Sequence, residues 1–187
     1  MNRKVLIVDG PHLLYRAFFA VSDAMGVAIG DKYVSTGAVH GAFNILIRSI
    51  EYLNVDTVVF CWDWGKDAER LELHPDYKTG RTPMDPRLKE QFPIFRELLR
   101  AVEIGQIGVD GCEGDDIIAC IAKINTKQGN VSYVLSGDRD FLQLVNDTVK
   151  IARPMKAGEI AIYDAKRVEE EYGVRPDPVS YTHLTLP

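Results

Sequence analysis

The sequence predicts an α/β fold with a mostly parallel central sheet and helices on both faces. Two observations carry this. Short apolar runs bounded by turn residues alternate along the chain with longer segments of helical period. The first such run, "KVLIVDG", is apolar without interruption and reads as a buried strand. No internal repeat or low-complexity tract competes with that reading.

The elements follow in order. After the first strand, Pro11 to Val21 reads as a helix, and "TGAVHGAFNILIRSIEYL" places Val39, Phe43, Leu46, Ile50 and Leu53 on one helical face. "TVVFCW" is the second strand. A polar stretch between Trp64 and Met84 is too long for an ordinary connection and is expected to be functional. Asp85 and Pro86 then open a helix as cap and first-turn residue, and Pro93 is expected to kink or split it. A short apolar run, Gln106 to Val109, precedes "GCEGDDIIACIAK", in which an acidic cluster runs into a helix. "VSYVLSGDRDFLQLV" reads as strand, turn and helix, and "TVKIAR" and "EIAIYD" as two further strands.

At 187 residues and 46% hydrophobic, the chain supports one sizeable core. The short apolar run at the N-terminus ends in Asp9 and is neither a signal peptide nor a membrane span, so a cytoplasmic protein is expected. Cys61, Cys112 and Cys120 lack any CxxC pairing and sit in apolar stretches, which suits reduced core thiols rather than disulfides or zinc ligands. His12, His40 and His74 stand in no arrangement with Ser, Cys or a second His and read as packing or surface residues.

The acids carry the functional signal. Asp9 follows the first strand, Asp63 the second, Glu113, Asp115 and Asp116 the third, and Asp138 and Asp140 the fourth. Carboxyl ends of parallel strands share one rim of an open sheet, where ligands bind. Taken singly, Asp9, Asp138 or Asp140 could cap a helix, and Glu113, Asp115 and Asp116 could be favourable charges at a helix N-terminus. Taken together they form a self-repelling cluster that divalent metal would compensate, and hard oxygen donors favour Mg2+ or Mn2+ over zinc. The formal charge of −5 argues against a plain electrostatic nucleic-acid binder. That objection weakens at the rim, because the 27 acids less these seven leave 20 against 22 bases. Tyr77 to Lys89 carries four bases and one acid.

"LIVDGPHLLYRAFFA", "GAVHGAFNIL", "WDWGKDAERLELHPDYKTGRTPM", "GCEGDDIIACIAK" and "VLSGDRDFLQLV" resemble, in order and spacing, the 5′-nuclease family. That family includes the N-terminal 5′-3′ exonuclease domain of bacterial DNA polymerase I, free-standing 5′-3′ exonucleases and flap endonucleases. The resemblance implies a PIN-like, resolvase-like domain over residues 1–175 with a helical arch or gateway inserted after the second strand. It implies Asp9, Asp63, Glu113, Asp115, Asp138 and Asp140 as metal ligands, with Asp116 supporting them. Lys78, Arg81 and Arg70 would be the catalytic cations of the gateway, balancing charge on the scissile phosphate, while Arg16, Tyr77, Lys78 and Arg81 would contact substrate. The expected activity is Mg2+-dependent hydrolysis of phosphodiesters at 5′ ends or flaps of DNA, or of an RNA-DNA hybrid, in replication or repair. Two ions, with Mn2+ as substitute, would activate water and stabilise the leaving oxygen. The expected protein is a monomer without membrane contact, fused to a polymerase in some parent chains.

Two departures qualify the resemblance. Glu69 replaces the usual aromatic before Arg70, and Trp64 the common small residue after the aspartate. Residues 176–187 match nothing in the family. They are read as a truncated or non-native end, without the helix-three-turn-helix segment that follows in relatives. Alternative readings are a non-catalytic nucleic-acid-binding domain with a residual metal site and a PIN-type ribonuclease. A receiver-type phosphotransfer domain is disfavoured by the paired Asp138 and Asp140.

Overall fold

The computed structural model describes residues 2–21, 25–64 and 83–173. β1 (Lys4–Asp9) runs directly into α1 (Gly10–Ala20), and a hairpin of β2 (Gly26–Ile29) and β3 (Lys32–Ser35) precedes α2 (Gly37–Leu53). β4 (Thr57–Trp64), α3 (Pro86–Ala101) and β5 (Gly105–Asp110) follow. α4 (Gly114–Lys127), β6 (Val131–Leu135), a 3-10 turn at Asp140–Leu144, β7 (Val149–Pro154), β8 (Ile160–Tyr163) and α5 (Ala165–Tyr172) complete the described chain.

The main sheet has the order β5-β4-β1-β6-β7-β8. Its first five strands are parallel and β8 closes one edge antiparallel to β7. From β1 the chain steps outward through β4 to β5, then returns to the other side of β1 for β6 and β7. The direction of winding therefore reverses beside β1, and the crevice at such a reversal opens at the carboxyl ends of the strands.

β1 is buried on both faces because its side chains alternate between two cores. Leu6 and Val8 pack with α1, α2 and α3, whereas Val5 and Ile7 pack with α4 and the strands beyond β6. Each such aliphatic side chain contributes about 1.5–3 kcal/mol by burial. The same alternation sends Phe60 and Trp62 of β4 to the first core and Cys61 to the second.

The helix starts show how the layers are tied. Asp9, Asp85 and Asp164 cap their own helices, accepting from the main-chain N–H groups of His12, Arg87 and Arg167. α2 has no cap from its own Thr36. Gln91 of α3 supplies one instead: its Oε1 accepts from Ala38 N–H at 2.8 Å and Val39 N–H at 3.2 Å, and its Nε2 donates to Ser35 Oγ and Arg87 O. A fully buried amide is thus satisfied while two otherwise orphaned donors of α2 are paired.

Several sequence expectations are corrected. α3 runs unbroken through Pro93, which is exposed, because Leu88, Gln91, Phe95 and Leu99 hold the opposite face. The segment after β6 forms a 3-10 turn rather than an α-helix, with Phe141 and Leu144 buried. The β2–β3 hairpin, turning at Gly30 with φ 60°, makes "TVVFCW" the fourth strand of the chain instead of the second. Of the three cysteines only Cys61 is buried; Cys112 and Cys120 are exposed. No helix among the described residues is long and apolar enough to cross a membrane.

Gln91→Leu is expected to destabilise the fold by about 3 kcal/mol, because the N–H groups of Ala38 and Val39 stay buried without an acceptor. Urea denaturation measures this directly. A loss below about 0.5 kcal/mol would mean that the first turn of α2 is held by other contacts.

Candidate metal centre

The four acid-bearing strand ends are neighbours in the sheet, because β5, β4, β1 and β6 are consecutive. Asp9 closes β1 and is opposite Cys61 in the register with β4, so Asp63 projects two residues farther along the same rim. By alternation Asp9 and Asp63 share the sheet face of Ile7 and Cys61, the face that α4 covers.

Asp9 is buried, and both of its oxygens are engaged. Oδ1 accepts from His12 N–H at 3.0 Å and Oδ2 from the Ser136 hydroxyl at 2.9 Å. Asp9 is therefore a helix cap and a member of the rim at once. Burial raises its pKa above the ordinary carboxylate value, outweighing the two hydrogen bonds and the neighbouring His12, and the Asp63 charge raises it further. The same burial, with the Asp9 charge, pushes the Cys61 thiol up to about 12, so it remains a protonated core side chain.

Asp63 fixes the start of α4. Glu113 gives α4 no side-chain cap, and the Asp63 Oδ1 instead accepts from Gly114 N–H at 2.7 Å. Glycine leaves room for this close approach: a Cβ on Gly114 would lie 3.0 Å from that oxygen, so the Asp63 carboxylate would have to give way. This contact draws the first turn of α4 onto the rim, and Asp115 with it.

The electrostatic result is concentrated on Asp115. Its pKa is pushed up to about 7, first by desolvation and then by the charges of Asp9, Asp63, Asp138 and Glu113. Its side chain nonetheless keeps solvent exposure, so neighbouring charge weighs heavily beside burial. The structure thus brings Asp9, Asp63, Glu113, Asp115 and Asp138 into one field. Asp138 also accepts from Asp140 N–H at 3.0 Å, which orders the turn that carries it. Asp116 lies one residue along α4 and so projects about 100° away from Asp115. Asp140 opens the 3-10 turn and is exposed.

Among the described residues, no three His, Cys, Asp or Glu side chains close to the spacing of a metal cage. No ion pair reaches Asp9, Asp63, Asp115 or Asp138 among those residues. Five carboxylates held together, four of them without a protein cation among the described residues, form an all-oxygen donor set, which fits hard divalent ions.

Of the remaining predicted residues, Arg16 is half-buried on α1. Its pKa is lowered by desolvation and by the adjacent Arg153 charge, a neighbour that sequence reasoning missed because β7 lies far away in the chain. His12 sits closer to the rim than expected, its ring against Gly137 and its main chain on Asp9. Arg70, Tyr77, Lys78 and Arg81, with His74, the proposed gateway and the tail at 176–187, lie outside the described residues.

Comparison with known proteins agrees with this geometry. A family model described as "5′-3′ exonuclease, N-terminal resolvase-like domain" matches residues 4–173. A 5′-3′ exonuclease of Bacillus subtilis (strain 168) is 38% identical over 176 residues, covering 94% of this chain and 59% of that protein. DNA polymerase I of the same organism is 36% identical over 179 residues, covering 95% of this chain and 20% of that protein. A bacteriophage T5 flap endonuclease in a pseudo-enzyme-product complex with DNA and metal ions superposes with a TM-score of 0.66 at 20% identity, over 94% of this chain and 62% of that one. The T5 likeness establishes the fold, and the chain spans 59% or less of the length of these two curated relatives. With its mostly parallel sheet, its acidic rim and a family match over residues 4–173, the chain belongs to the family of 5′-3′ exonuclease N-terminal resolvase-like domains.

Proposed function

We propose that this domain hydrolyses phosphodiester bonds at 5′ ends or 5′ flaps of DNA with divalent metal, in replication or repair. The observation that carries the reading is the convergence of five carboxylates from four adjacent strand ends, four of which lack any protein cation among the described residues. The relatives described as exonuclease, and the T5 complex with DNA and metal ions, support it.

Asp9, Asp63, Glu113, Asp115 and Asp138 would hold the ions, with Asp116 and Asp140 completing the set, and Mg2+ or Mn2+ suits these donors. Two divalent ions held by these carboxylates would supply water activation and charge neutralisation at the leaving oxygen. The chain's own residues do the rest. Asp9, fixed by His12 N–H and Ser136, and Asp63, fixed by Gly114 N–H, offer preoriented oxygens and spend no side-chain ordering when a ligand arrives. Arg16, beside Arg153 and without an ion pair among the described residues, would bind a backbone phosphate. Lys78, Arg81 and Arg70 would offset charge on the scissile phosphate, and Tyr77 would contact the strand. In the relatives named DNA polymerase I this segment is part of a longer chain, so fusion to a polymerase belongs to the same proposal.

Metal-free protein should reveal the crowding by its pH dependence. Asp115 has a folded pKa of about 7, above the unfolded value near 3.9, so its contribution to stability is full below about pH 4 and is lost as pH rises through 7. Asp115→Asn is therefore expected to be more stable than the parent at about pH 8, by on the order of 1 kcal/mol after solvent screening of this exposed side chain. The gain should vanish below about pH 4. Urea titrations at both pH values check this, and an equal difference at the two would contradict charge crowding. Added Mg2+ should stabilise the parent more than the variant.

The activity itself is tested on a 5′-labelled flap duplex and an RNA-DNA counterpart. The chain is expected to release short 5′ products with Mg2+ or Mn2+ and none with chelator. Asp9→Asn or Asp115→Asn should reduce the rate by roughly a hundredfold or more. Cleavage that survives chelator would sink the proposal, whereas metal-dependent binding without cleavage would leave a docking domain.

A further inference from the structure

On the opposite face of β4 from Asp63, the strand carries a second arrangement that the acid cluster does not use. Phe60 and Trp62 pack into the core, and Trp64, next on the same face, emerges with 51% of its surface exposed. Its indole lies over the edge strand: a Cβ on Gly108 of β5 would stand 1.9 Å from Trp64 Cε3, so only glycine leaves the niche open. The main chain is held as firmly. Trp64 O accepts from Gly111 N–H at 3.2 Å, and Trp64 forms an isolated antiparallel bridge with Cys112, next to Glu113.

Arg96 of α3 covers this aromatic pair. Its guanidinium carbon is 4.6 Å from the Trp62 ring centroid and 5.4 Å from that of Trp64. It makes no ion pair among the described residues, and its Nε is buried without a hydrogen-bond partner. A half-buried guanidinium with an idle donor favours an anion, and its planar fork suits phosphate. A half-open indole whose orientation is already fixed offers a stacking face without further ordering cost. Packing accounts for Trp62, which is 1% exposed and donates to Gln106, but not for seating a neighbouring indole over Gly108 with half its surface in solvent.

We propose that Trp64 and Arg96 form a binding surface for an unpaired nucleotide, with a base stacked on the indole and a backbone phosphate at the guanidinium. It rests on the nuclease reading above, since it lies one residue from Asp63 on the same rim. Bases within a duplex are already stacked on both faces, so the surface selects a single strand or a frayed end. Stacking and charge attraction read no base edges, so the preference is for strand structure rather than sequence.

The chain has two tryptophans, and Trp62 is buried, so iodide quenching of tryptophan emission reports Trp64. A short dT oligonucleotide, titrated in Ca2+ with its own label followed by anisotropy, should lower the emission and protect it from iodide. Trp64→Ala should weaken binding about five- to hundredfold, and Trp64→Phe far less. Arg96→Gln should flatten the salt dependence by roughly one phosphate contact. If the oligonucleotide binds while emission and iodide access stay unchanged, this inference is overturned and the nuclease reading stands. Absence of both oligonucleotide binding and flap cleavage overturns both. Should Trp64→Ala not fold, the iodide measurement on the unaltered chain decides alone.

Discussion

Mutual repulsion among carboxylates, contained by a parallel sheet, is the constraint around which this domain is organised. Five acids share one field at the carboxyl ends of β5, β4, β1 and β6, and each has to be held there against its neighbours. The restraints are therefore local and directional: an N–H from His12 and a hydroxyl from Ser136 on Asp9, and the N–H of Gly114 on Asp63. These bonds favour the charged forms that burial and crowding oppose. The two cores on either side of β1 supply the stability that this arrangement spends.

Much of this was legible in the sequence because the signals were local. A continuous apolar run and a helical period need no tertiary information, and a strand followed by an acid places that acid on the rim once the sheet is parallel. Asp85 as cap and the strands at "TVKIAR" and "EIAIYD" follow from the same reasoning. All seven acids do stand at or just past strand ends, and the structure draws Asp9, Asp63, Glu113, Asp115 and Asp138 into one field.

What escaped depends on residues far apart in the chain. Gln91 caps α2 from 53 positions away, and nothing in the sequence around Ala38 announces it. Pro93 reads locally as a break, yet α3 continues through it with its opposite face buried. Apolar neighbours suggested core thiols at Cys112 and Cys120, but one sits in the loop after β5 and the other on an exposed position of α4. The hairpin around Gly30 and Asp31 did carry a turn signal, weakened by how short its two strands are.

The bond between Ser136 and Asp9 spans 127 positions, and that separation bears on synthesis. A ribosome releases β1, α1 and β4 well before β6 exists. Until residue 136 emerges and β6 docks beside β1, Asp9 has no hydroxyl partner and Asp138 is not in place. The acidic rim is thus assembled only after residues 136–138 have emerged, through contacts between distant parts of the chain, which form slowly. A partly made chain therefore cannot carry the complete carboxylate field, and any chemistry that needs it is withheld until the sheet has closed.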